Sequence, residues 1–93
     1  MKKTDNAAAA ILAKFIYSPE YIIPVAGEIN AEMFGSEVAI EVATKVLERF
    51  NINKYYTVQE FQDEYPGLAD EWLMRPATPK QIEAGIEFLR SSY

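Results

Sequence analysis

The amino-acid sequence predicts an all-α fold, a compact bundle of five or six short helices forming one domain over residues 1–93. Apolar residues recur at intervals of three and four, as in Ala8, Ile11, Leu12, Phe15 and Ile16, which places them on one face of a helix. Helix-start signals punctuate the chain at Ser18-Pro19-Glu20, Thr57-Val58-Gln59-Glu60 and Thr78-Pro79-Lys80-Gln81. No two segments show the alternation that a pair of strands needs.

The first helix runs to about Tyr17, with Thr4, Asp5 or Asn6 as its candidate cap. Ser18, Pro19 and Glu20 then supply a cap, a proline at the first helical position and an acid in the first turn. Pro24 interrupts the next apolar run, so a short turn leading into a helix that ends near Gly27 to Ile29 is expected. Residues 30–34 read as a turn-rich connection that turns Met33 and Phe34 toward the core.

Ser36 caps the longest expected helix, about Glu37 to Phe50, with an apolar face of Val38, Ala39, Val42, Ala43, Val46, Leu47 and Phe50. Lys45 and Arg49 lie near its end, where positive charge complements the helix dipole. Asn51 to Lys54 break that helix, and Tyr55-Tyr56 reads as a brief extended approach. Thr57 to Glu60 form a capping box for a helix presenting Val58, Phe61 and Tyr65, which stops at Pro66-Gly67. A segment from Leu68 to Met74 adds Leu68, Trp72 and Leu73. A last helix opens with the Thr78 to Gln81 box and carries Ile82, Ile86 and Leu89. Gly85 in its middle costs roughly 1 kcal/mol relative to alanine, a cost either tolerated or explained by the close approach of another helix.

Composition narrows the chemistry. The chain has no cysteine and no histidine, which removes thiolate chemistry, the usual general base and the commonest transition-metal ligand. Nine basic and fourteen acidic residues give a net charge of −5, and Glu60, Asp63, Glu64, Asp70 and Glu71 fall in residues 55–74 without one base. Such a run repels phosphate backbones, so direct nucleic-acid binding is not expected. It reads either as a solvated face or as a docking face for a basic partner, with Tyr55 and Tyr56 beside it as aromatic anchors. Lys14 interrupts the apolar run near the start, and no stretch reaches the ~18 apolar residues of a membrane span. A cytoplasmic chain is expected.

The glycines at 27, 35, 67 and 85 do not build a phosphate-binding loop. The neighbours Asp63/Glu64 and Asp70/Glu71 diverge by about 100° on a helix and do not converge on a substrate. Glu60 and Glu64, one turn apart, lack further ligands for a metal. No catalytic residue, metal or cofactor is therefore expected.

The order of these features resembles the N-terminal domain of the DnaB-type replicative DNA helicases. The segment Ala9 to Glu20 is similar to that domain's opening helix, a small-apolar run ending in Asp/Asn-Pro-Glu. Glu32-Met33-Phe34-Gly35 and the following helix resemble its acid-Phe-Tyr segment, Tyr56 to Phe61 falls where the family has Asp-x-Val-Thr-Leu, and Ala77 to Ile82 where it has Asn-Thr-Pro. Gly35 stands in place of the family's tyrosine, Ala39 of its His or Asn, and Ala43 of its aromatic, as in a divergent, phage-like member.

The resemblance implies a collar domain without catalytic activity that oligomerises and docks primase or a helicase loader. It also implies that the last helix is one arm of a hairpin whose second arm lies beyond Tyr93. On that expectation Ile82, Ile86 and Leu89 are left partly uncovered and mediate self-association into a homo-oligomer. The competing expectation is a stand-alone acidic inhibitor or adaptor of phage type, whose residues 55–74 occupy a basic surface of a nucleic-acid-processing protein.

Overall fold

A computed structural model describes residues 3–92 of the chain. Among them are five α-helices, α1 (Lys3–Tyr17), α2 (Glu37–Asn51), α3 (Val58–Glu64), α4 (Pro66–Trp72) and α5 (Pro79–Ser92). Two 3-10 helices, Pro19–Glu28 and Ala31–Phe34, join α1 to α2. The architecture is all-helical, with no strand among the described residues.

Helix α1 is the central element, packed against α2, α4, α5 and both 3-10 helices. Its expected stripe of Ala8, Ile11, Leu12, Phe15 and Ile16 is buried throughout, and Ala13 is buried with it. The helix already includes Thr4, Asp5 and Asn6, so none of the three stands at its cap position.

Pro24 does not begin a regular helix, as the sequence suggested; the chain from Pro19 to Glu28 instead winds continuously as 3-10 turns. A proline has no amide for an i to i−4 bond and its ring collides with the carbonyl four residues back, whereas the tighter turn relaxes that conflict. The buried side chains there, Ile22 and Val25, are three apart, the period of a 3-10 helix. Ile23 between them is 64% exposed. Ala31–Phe34 also forms a helix, closed at its start by Asn30 Oδ1, which accepts from the Met33 amide at 3.1 Å. Gly35 ends it at φ 87°, a conformation in which a side chain would clash with the backbone.

The remaining caps follow the sequence. Ser36 Oγ accepts from the Ala39 amide at 3.3 Å to open α2. Asn53, at φ 60°, is the left-handed residue that turns the chain out of that helix. Thr57 and Glu60 exchange the two bonds of a capping box at α3, and Thr78 and Gln81 do the same at α5. Helix α4 begins at Pro66 itself, two residues before its expected start, because proline suits a first helical position.

Gly85 is explained by contact. A Cβ placed there would lie 2.7 Å from Ile11 Cδ1, so the glycine lets α5 lie close against α1. The linker between α4 and α5 follows α1 back toward its start: the Tyr17 hydroxyl donates to the Leu73 carbonyl at 3.2 Å, and the Ala77 amide donates to the Ala10 carbonyl at 2.8 Å.

Candidate functional site

The expected acidic and aromatic face is built on α3, the approach to it, and α4. Thr57 holds the start of α3 in a fixed register, which spaces Glu60 and Glu64 one turn apart on the side facing α2. Lys45 and Arg49 meet them there. Arg49 Nη1 donates to Glu60 Oε2 at 2.6 Å, and Lys45 Nζ donates to Glu64 Oε2 at 3.0 Å. The bases are four apart on α2, the acids four apart on α3, and the pairs 45–64 and 49–60 run in opposite directions, so the two helices are clipped together antiparallel.

Tyr56 completes this clip from below. It is 2% exposed, not a surface anchor as the sequence suggested, and its hydroxyl donates to Glu64 Oε1 at 2.5 Å. An aromatic ring at the start of a helix is drawn inside where it covers apolar neighbours, and here it packs 6.2 Å from Phe61, centroid to centroid. Tyr55, the next residue toward the N-terminus, points the other way and is 52% exposed.

The electrostatics follow from these contacts. Partial burial pulls the Glu60 carboxyl upward, but the Arg49 guanidinium and the amide and hydroxyl of Thr57 outweigh it and hold the group below the usual carboxylate range. The Tyr56 hydroxyl and the Lys45 ammonium hold Glu64 below that range. Burial, followed by the hydrogen bond to Glu64, pushes the Tyr56 phenol well above its ordinary value. The bond to Glu64 raises Lys45 despite a small opposing effect of burial.

Of the other expected contact residues, Asp63 accepts from Gln59 Nε2 at 2.9 Å on the solvent side of α3, and Asp70 and Glu71 are exposed on α4. The structure therefore divides the acidic run. Glu60 and Glu64 are engaged with bases of α2, while Asp63, Asp70 and Glu71 face solvent. No group of three or more metal-ligating side chains occurs among the described residues.

Ile82, Ile86 and Leu89 are not left uncovered. They are 3%, 3% and 1% exposed, because Gly85 lets α5 settle onto α1 and bury all three in the core. The large apolar residue that α5 presents to solvent among the described residues is Phe88, 41% exposed.

A largely apolar concavity lies elsewhere. A groove of about 760 Å³ runs between the N-terminal parts of α1 and α2, α4 and the linker after it, with Ala9, Ala10, Val38, Leu68 and Trp72 in its walls. Glu71, Met74 and Arg75 stand along it, and Met74 is 79% exposed. Sequence reasoning passed over Met74 and Arg75, since a methionine at a helix end is ordinarily core and the groove is made by three segments remote in sequence. It also read Lys45 and Arg49 as dipole partners, although two bases and two acids at matching four-residue spacing were visible.

No helix of the described residues is long and apolar enough to cross a membrane. Comparison with known proteins finds no matching family model, no similar curated protein and no similar solved structure.

Proposed function

We propose that this chain is a non-catalytic protein-interaction and oligomerisation domain of the kind that forms the collar of a DnaB-type replicative helicase, where it docks primase or a helicase loader. The observation that carries this reading is the succession of resembling motifs along a chain whose helices obey them. Ala9 to Tyr17 lies on the central helix, Pro19 opens the next turn, Met33 and Phe34 enter the core, and Thr57 and Thr78 cap their helices. A domain that engages proteins by surface shape needs a rigid core with apolar surface left over. Here that surface includes the groove beside Trp72 and the exposed Tyr55 and Ile52.

The rival acidic-inhibitor reading loses support from the ion pairs of Glu60 and Glu64, which leave three carboxylates of that run without a basic partner among the described residues. The two readings separate in a titration calorimetry experiment with the purified chain. Binding to the cognate primase or loader that persists at raised ionic strength supports the collar reading. Failure to bind either protein, together with salt-sensitive blockage of nucleic-acid binding by a replication enzyme, would replace it with the inhibitor reading.

A further inference from the structure

Prong and socket lie side by side in the groove of α1, α2 and α4. Met74, the most exposed large apolar side chain among the described residues at 79%, stands at the edge of a cavity walled by Ala10, Val38, Leu68 and Trp72. Its own groove does not cover it. Glu71 and Arg75 line the same groove four residues apart, and neither joins an ion pair among the described residues.

A two-fold axis satisfies all of these groups at once. In an isologous pair the same patch serves both subunits, so residue i of one meets residue j of the other and the reverse. A patch that holds an apolar prong beside an apolar socket, and an acid beside a base that are both unpaired among the described residues, is complementary to itself. We propose that this groove is the contact between two copies of the chain, with Met74 of each entering the groove of the other and Glu71 of each meeting Arg75 of the other.

Methionine suits the part, because its unbranched thioether adapts to an irregular cavity. One acid and one base per copy make the contact neutral locally, although each chain carries −5 overall. A single groove per copy places the interface at the small end of specific contacts, so the pair forms as concentration rises and is not obligate. The inference needs only a second copy and does not rest on the helicase reading.

Sedimentation velocity of the whole chain across a concentration series tests it. The weight-average mass is expected to climb from monomer toward dimer. Met74→Lys should weaken association by about tenfold or more with an unchanged melting curve, since the side chain is already in solvent.

Glu71→Arg and Arg75→Glu should each weaken the dimer by placing like charges in both contacts. An equimolar mixture of those two variants should associate again, because each contact then joins an acid to a base, an outcome specific to a two-fold arrangement. A chain that stays monomeric at every concentration overturns the proposal, including one whose groove accepts an apolar peptide instead. So does a dimer indifferent to Met74→Lys, or a mixture that associates no better than its components.

Discussion

The half of the molecule around α1 and the half made by α3 and α4 are held together by different physics. Around α1 the contacts are mainly aliphatic and backbone-close: Ile11, Leu12, Ile16, Ile82, Ile86 and Leu89 are buried beside the rings of Phe15 and Phe34, and α5 lies near enough that Gly85 has no room for a methyl group. At α3 and α4 the core is one aromatic hub, Phe61, with Tyr56, Tyr65 and Trp72 at 6.2, 5.9 and 5.7 Å between ring centroids. Its link to α2 is made by the long side chains of Lys45 and Arg49. Close packing of this first kind is destroyed by small changes in volume, whereas the second kind responds to pH and to loss of a single ring. The α3–α4 half is thus the part expected to open first.

The largest effect comes from removing a hub. Phe15→Ala and Phe61→Ala each delete a fully buried ring, at a cost of about 3–5 kcal/mol. The two should differ in reach. Phe61→Ala is expected to strip hydrogen-exchange protection from α3 and α4 while α1 and α5 stay protected, and Phe15→Ala to lower protection everywhere. Equal loss across all helices in both variants would erase the distinction between the halves.

A smaller effect sharpens the aliphatic side. Gly85→Ala gains roughly 1 kcal/mol of helix propensity, but overpacking against buried Ile11 costs about 1–3 kcal/mol, so a net destabilisation near 1 kcal/mol is expected in urea unfolding. Ile11→Val removes the Cδ1 atom that a Cβ at Gly85 would meet at 2.7 Å. The double variant should therefore be more stable than the sum of the singles, and strict additivity would mean that the helices shift apart at no cost.

The smallest effect is on pH. Glu60 and Glu64 ionise more readily in the folded chain than at their ordinary value of 4.5, so the stability they add is present above that pH and is lost as pH falls through their folded values. Tyr56 is held neutral above its ordinary value of 10.0, so its contribution is full below pH 10.0 and declines as the pH rises beyond it. Near-ultraviolet circular dichroism should show the aromatic hub loosening at both extremes before the far-ultraviolet helix signal falls. Tyr56→Phe should remove most of the alkaline step, and an unchanged alkaline limb in that variant would assign it elsewhere.

How much of this was legible depends on how local the cause is. Caps at Ser36, Thr57 and Thr78 involve residues three apart in the chain, and each formed where the pattern put it. The stripe of α1 was equally plain, since a helix so apolar on one face has to bury it. Pro24 announced a disturbance without its outcome, because a kink, a fresh start and a run of 3-10 turns all relieve the same clash. The candidate site was less readable. Tyr55 and Tyr56 are identical neighbours in sequence, yet one is half exposed and the other buried, since only the position of Phe61 and Glu64 decides which ring turns inward.

The sequence by itself determined the five α-helices, the caps at Ser36, Thr57 and Thr78 and the absence of cysteine and histidine chemistry, because propensity, periodicity and residue inventory act within a few residues. The tertiary structure alone decided which charges are free, which glycine is a contact and which apolar residues remain outside. Glu60 and Glu64 belong to an acidic run in sequence, but they face Arg49 and Lys45 from eleven and nineteen residues away. Ile82, Ile86 and Leu89 form an apolar face in either setting, and whether it is covered depends on how closely α5 can approach α1. Burial and charge pairing are properties of juxtaposed segments, and a pattern read along the chain does not show which segments meet.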